Sequence, residues 1–347
     1  MAILRMTKLS EIQSEPVEWL WEGYIPRGML TLIQGDGGGG KTTTALAISA
    51  AVTTGRALPG GVASAPAPVV LQNTEDSYPK KLKPTLEKCS ADLSLVERID
   101  EDECALTFSD ERIEQAIIRT GAKLFICDPV QAFFGSANMN LMGSVRQIMK
   151  RLGDIAVRHD CAILLVGHMN KSGGKAAYRS NGSVDIFAAA RSVMTVGKLP
   201  NDDEIRAIVP IKNNLAQLGK PQAFGFDDGV GTSGARFTWL GECDATIDEI
   251  LSGKPKPESQ FTKARKLIET ALSKGPVAAA DMEQMAGEQG ISYKTFKRAK
   301  EALGVISVQR GRQWYWEMPI DVEYTECSSE VQTTALVHLN NCEPKNA

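Results

Sequence analysis

The chain has 347 residues, 43% of them hydrophobic and 23% charged, the balance of an ordinary globular protein. That length suits one domain of about 200–250 residues plus a smaller one, each able to bury its own core. A formal net charge of −3 argues against a protein that coats nucleic acid over its whole surface, so any such contact must be local.

The first eight residues, Met1 to Lys8, lack the apolar centre of a secretory leader, and residues 1–27 read as a lead-in segment. From about residue 28 to 240, strand-like and helix-like segments alternate. This is the pattern of an α/β fold with a mainly parallel central sheet and crossover helices, assigned to residues 28–250. Met29–Ile33 is a short apolar run that ends in glycines, and the Ala-rich stretch Thr42–Thr54 follows as a helix. Pro68–Asn73 is the second strand, and Pro79 opens another helical stretch, where a first-turn proline costs no hydrogen bond. Asp110 is expected to cap a helix through Ile118. Lys123–Cys127 is an apolar strand, Leu141–Arg158 a helix and Ala162–Val166 a further strand. Arg191–Val196, Ile205–Ile211 and Arg236–Leu240 read as strands joined by shorter turns.

Seven cysteines are dispersed, with no CxxC pair and no Cys/His cluster at metal-ligand spacing. Cys127 and Cys161 lie in apolar runs and read as inert buried thiols, and the odd, scattered set fits a reducing compartment. No apolar run reaches the roughly 18 residues of a membrane span. The expected location is the cytoplasm, without membrane contact.

A polar, proline-bearing linker covers 251–257. Residues 258–318 then show three helical stretches (Phe261–Leu272, Met282–Gly287, Ser292–Leu303). Two short strands, Val305–Val308 and Gln313–Glu317, are placed to pair across Gln309–Arg312. Three helices and a hairpin wing predict a winged-helix-like domain. Residues 319–347 show no period and read as a loose tail.

Gly35-Asp36-Gly37-Gly38-Gly39-Gly40-Lys41-Thr42 matches G-x-x-x-x-G-K-[ST] between a strand and a helix. Glycines let the backbone N–H groups wrap around phosphate oxygens, and the helix N-terminus adds partial positive charge. With Thr43, this stretch is the expected ATP site: Lys41 would reach the β/γ-phosphates, and the Thr42 hydroxyl would hold Mg²⁺. Asp128, at the end of an apolar strand, fits the Walker B carboxylate that organises the same Mg²⁺, although a strand-end Asp also caps helices. Pro129 follows, where many P-loop ATPases carry a catalytic Glu. The base must then come from elsewhere, and Glu75, at the end of the second strand, is the candidate. Its competing role is N-cap of the next helix. His168, ending a later strand, is placed either to sense the γ-phosphate or simply to satisfy a neighbour.

These residues, with Trp19-Leu20-Trp21, Ile25-Pro26-Arg27-Gly28, Thr74-Glu75-Asp76, Asp128-Pro129, His168-x-x-Lys171, Tyr178-Arg179-x-x-Gly182-Ser183, Ala188–Ser192 and Lys212-Asn213-Asn214, resemble the RecA-like P-loop ATPases. Within these, they resemble the RepA-type hexameric replicative helicases of plasmids and phages. The resemblance spans roughly residues 17–240. It implies Glu75 as general base, a homo-oligomeric ring with ATP at subunit interfaces, and a basic finger from the neighbouring subunit, Arg191 or Lys212. Two departures stand out: Gly37 replaces a usual proline, and Asn213-Asn214 replaces an arginine expected two residues after the lysine, which favours Arg191. The loop 170–181, with Lys171, Lys175, Tyr178 and Arg179, would face single-stranded DNA in a ring, or be a plain solvated loop.

Residues 254–312 hold 12 Lys/Arg against 6 Asp/Glu, a local basic excess within an acidic chain. Such asymmetry fits duplex DNA contact by the C-terminal domain, or a solvated or protein-docking face. Three functions follow: an Mg-ATP-driven DNA helicase or translocase, an ATP-gated DNA-binding regulator without unwinding, and a small-molecule kinase. The kinase reading shares only the phosphate loop.

Overall fold

A computed structural model describes residues 6–135, 142–169, 184–200, 202–226, 236–254 and 259–319. The chain divides into two compact units, residues 1–256 and 257–347.

In the first unit, a nine-stranded sheet is built from β3 (Leu30–Gly35), β4 (Val69–Asn73), β5 (Val96–Glu97), β6 (Leu124–Asp128), β7 (Ala162–His168), β8 (Ser192–Leu199), β9 (Asp202–Asn213), β10 (Gln222–Phe226) and β11 (Phe237–Glu242). It follows a short hairpin of β1 (Trp19–Trp21) and β2 (Ile25–Pro26). The spatial order is β11-β10-β9-β8-β3-β7-β6-β4-β5. The six strands from β8 to β5 run parallel. The last three, β9 to β11, return antiparallel. This mixed α/β architecture with a large, mostly parallel sheet fits a P-loop NTPase.

The helices of this unit are α1 (Lys41–Thr54), α2 (Lys83–Lys88), α3 (Arg112–Thr120), α4 (Met142–His159), α5 (Val184–Ala189) and α6 (Ile247–Ser252). Side chains alternate across each buried strand, so one sequence feeds two cores. Ile33, Leu71, Ile126, Leu164 and Val166 pack toward α1 and α2. Leu32, Val70, Phe125, Cys127, Ile163 and Leu165 pack toward α3 and α4. Burial on both faces explains why these strands read as continuous apolar runs. The thiols of Cys127 and Cys161 are fully buried, and burial pushes Cys161 up to about 12, so both are inert.

Local chemistry shifts several expected boundaries. Asp110 precedes the cap of α3: Glu111 holds that position, while Asp110 Oδ1 accepts the Arg112 N–H at 2.9 Å and pairs with its guanidinium. Strand β10 and the β1–β2 hairpin were not expected. Residues 251 and 252, assigned to a linker, complete α6, whose capping box of Thr246 and Glu249 fixes its start.

The second unit has helices α7 (Gln260–Leu272), α8 (Ala279–Glu288) and α9 (Tyr293–Ala302), with strands β12 (Val277–Ala278), β13 (Ile306–Arg310) and β14 (Gln313–Glu317). The strands form an antiparallel sheet of order β12-β14-β13. Ala264, Ile268, Met282, Phe296, Ala299 and Trp316 form its separate core. β12 is the element missing from the sequence reading, being only two residues long. Among the described residues no helix is long and apolar enough to cross a membrane.

Candidate active site

Parallel strands deliver their C-terminal ends to one rim, and register aligns what stands there. Gly35 of β3 lies beside His168 of β7, and Asn73 of β4 beside Asp128 of β6. The glycine loop leaves β3 at this rim and enters α1. Gly38 and Gly40 take φ of +74° and +97°, which any Cβ would strain. A Cβ on Gly35 would stand 2.2 Å from the Val196 carbonyl oxygen. Gly40 occupies the N-cap of α1 without a side-chain partner for the helix's first N–H groups, which therefore point into the loop. Asp36, Gly37 and Gly38 are exposed, while Gly39 is buried with its N–H on the Asp36 carbonyl at 3.2 Å.

Lys41 is 6% exposed, and its Nζ donates to the carbonyls of Gly35 and Asp36, each at 2.9 Å. Burial lowers its pKa, opposed by the charges of Asp128, Asp36 and Glu75. Thr42 Oγ1 donates to Asp128 Oδ2 at 2.6 Å. Thr43 is half-buried in the first turn of α1, next to Thr42. Asp128 is 3% exposed, and its carboxyl is pushed up to about 6, chiefly by desolvation, with the Thr42 hydrogen bond and Lys41 pulling it down and Glu75 raising it.

Asn73 was not anticipated, yet it organises this rim. Its Nδ2 donates to Asp128 Oδ2 at 3.1 Å, and its Oδ1 accepts the backbone N–H groups of Glu75 (3.0 Å) and Asp76 (2.7 Å). The turn so formed aims Glu75 across the rim, where its carboxylate meets His168 Nε2 at 3.2 Å. Ser77, not Glu75, caps the following helical turn by accepting the Lys80 N–H. Thus Lys41, Thr42, Asp128, Glu75 and His168 converge on one rim.

Arg191 and Lys212 lie elsewhere. The Arg191 N–H bonds the Leu30 carbonyl at 2.9 Å, and Lys212 pairs with Val193, so both stand at the opposite edge of the sheet. Arg191 is exposed. Lys212 Nζ donates to the carbonyls of Phe187 (2.9 Å), Ala188 (3.0 Å) and Ala190 (2.7 Å), closing the C-terminus of α5. Lys171, Lys175, Tyr178 and Arg179 lie outside the described residues.

Another feature was missed. The Arg206 guanidinium lies over the Phe226 ring at 4.5 Å, and both side chains, with Phe224, reach within 3.2–3.3 Å of where a Gly40 Cβ would be. A cation–aromatic pair therefore borders the last glycine of the loop.

The hydroxyl of Thr42 and the carboxylate of Asp128 are hard oxygen donors in contact, which suits Mg²⁺ held jointly with substrate phosphates. Among the described residues no group of three or more His, Cys, Asp or Glu forms a self-sufficient metal cage. No curated protein matches the chain. Residues 4–174 match the family model of an AAA domain, a stretch that holds the glycine loop, Glu75, Asp128 and His168. That match, with the geometry of the rim, supports an AAA/P-loop ATPase family for this unit.

Proposed function

We propose that the protein is an Mg-ATP-dependent DNA helicase or translocase of the RepA-type, RecA-like kind, hydrolysing ATP at the subunit interfaces of a ring, a hexamer by resemblance. The observation that carries the hydrolytic part is the Glu75 carboxylate, held by the Asn73 turn and by His168 on the rim that carries Lys41, Thr42 and Asp128.

The triphosphate occupies the glycine loop, and Lys41 exchanges its two carbonyl partners for phosphate oxygens. A bound Mg²⁺, held by Thr42 and Asp128, would offset phosphate charge. A water attacks the γ-phosphorus, the bond to the β-phosphate oxygen breaks, and the water's proton passes to Glu75, leaving ADP and phosphate. His168 orients that carboxylate and links it to the end of β7. The Arg206–Phe226 pair offers a surface on which the base can stack. Arg191, exposed at the far edge, is the finger for a neighbouring copy.

The second unit supports the DNA part. Its three helices and hairpin are read as a winged helix, and residues 254–312 carry the 12-to-6 basic excess. Steady-state ATP hydrolysis by wild type and Glu75→Gln, with and without single-stranded DNA at low salt, tests the reading. Expected are DNA-stimulated turnover and a Glu75→Gln protein that binds ATP yet hydrolyses it at least about 10²-fold more slowly. Turnover indifferent to DNA would favour an ATP-gated DNA-binding regulator, and full activity of Glu75→Gln would remove Glu75 from the mechanism.

A further inference from the structure

Strand β14 pairs with β13 without a bulge, so Ser307 faces Trp316 and Gln309 faces Trp314. Alternation puts these four residues on one face of the hairpin. At the inner pair that face is closed: Trp316 stacks on Phe296 of α9 at 5.2 Å, and Lys300 lies over its indole at 4.3 Å while bonding Ser307 Oγ. One step outward the cover ends, and Trp314 is 52% exposed although it shares the face of a core tryptophan. Gln309 stands opposite it and Arg312 is exposed in the adjoining two-residue turn, while on α9 Lys297 is exposed one turn before the Lys300 that covers Trp316. Burial and the charge of Lys297 lower the Lys300 pKa and the charges of Glu283 and Glu301 oppose them, so the two ammonium groups share one field with a smaller acidic counterweight.

An indole left uncovered at the edge of a cationic field is a poor surface for duplex DNA, whose bases stack on one another and present only their edges. It suits an unpaired base, which can lay its face on the ring while Lys297, Lys300 and Arg312 follow the backbone. We propose that the α9–hairpin face of the second unit is a site for single-stranded nucleic acid, with Trp314 as the stacking platform for an unpaired base. This rests on the reading of that unit as nucleic-acid-binding, and sharpens it from duplex to single strand.

The test is photocrosslinking of the full chain to an oligonucleotide bearing 5-bromodeoxyuridine, with the crosslinked peptides mapped by mass spectrometry. Titrations with single-stranded and blunt duplex oligonucleotides accompany it. A crosslink on the peptide containing Trp314 is expected. Trp314→Ala should abolish that crosslink and weaken single-strand binding about fivefold or more, since stacking contributes about 1–3 kcal/mol per base. Trp314→Phe should retain most of both, and blunt duplex binding should be unchanged. Because Trp314 is half exposed, unfolding curves of the variants should match wild type, which separates loss of the site from loss of the fold. Crosslinks confined to residues 28–250, or Trp314→Ala binding single strands like wild type, would overturn the site while leaving the motor reading intact. Absence of any crosslink and of any DNA effect on ATP turnover would defeat both.

Discussion

Asp128 is a carboxylate the fold tolerates at a cost, and replacing it by asparagine should expose that cost. Its side chain is 3% exposed and its pKa rises from 3.8 to about 6. Between those values the folded chain holds a proton that the unfolded chain has released, so stability falls as pH rises through this window. Above it the ionised carboxylate costs about 3 kcal/mol. Asparagine carries no charge and keeps an oxygen for the Thr42 hydroxyl and Asn73 amide. The attraction of Lys41 is already inside that figure, since it is one of the causes that hold the Asp128 carboxyl down. Asp128→Asn should therefore be more stable than wild type by about 1–3 kcal/mol at pH 7.5, and by much less at pH 4.5. For a unit of this size that is a rise of several degrees, on the order of 2–4 °C per kcal/mol. The assay is thermal and urea unfolding of both proteins in EDTA without nucleotide, at both pH values. ATP turnover of the same variant should collapse, since the proposed magnesium ligand is gone. A stability gap that ignores pH, or a wild type more stable at pH 7.5, would refute the electrostatic account of this carboxylate.

Two further substitutions separate positioning from stability. Asn73→Ala removes the acceptor that fixes the N–H groups of Glu75 and Asp76, so turnover should fall about tenfold or more at saturating ATP while nucleotide affinity, measured by titration, changes little. Lys212→Met removes three donors to the carbonyls that end α5, and unfolding should show a loss of about 1–3 kcal/mol whatever happens to catalysis.

The phosphate loop was legible because its chemistry is local: a strand, six positions of glycine-rich backbone, and Lys41-Thr42 at a helix start are all contiguous. Asp128 and Glu75 were legible at one remove, since ends of parallel strands meet at one rim whatever lies between them. Asn73 was not, because its importance depends on register with Asp128. Its one local sign is an Asn two residues before the acid, a spacing that favours side chain-to-backbone turns. The Arg206–Phe226 pair was hidden because β10 is five residues with an internal glycine, and only pairing with β9 brings it beside the loop. The partners of Lys212 were hidden for the same reason: they are carbonyls 22 to 25 positions away, invisible in the local pattern.

The proposed finger role of Arg191 has a geometric condition: the site must be shared between chains. It lies level with Leu30, at the start of β3, whereas the phosphates belong beyond Gly35 at its end. Five strand residues separate the two levels by about 16 Å, more than an arginine side chain of about 7 Å can span. Within one chain Arg191 cannot reach the γ-phosphate, so a catalytic role requires that it enter the site of another copy. Arg191→Ala should then lower turnover by about 10²-fold or more while leaving stability unchanged. Mixing is the decisive step. An Arg191→Ala chain keeps an intact site, and a Glu75→Gln chain keeps an intact finger, so two inactive proteins should regain activity when co-assembled, at about a quarter of the interfaces in an equal mixture. Full activity of Arg191→Ala alone, or a mixture that stays silent although the two proteins co-assemble, would place the arginine in an ordinary surface role.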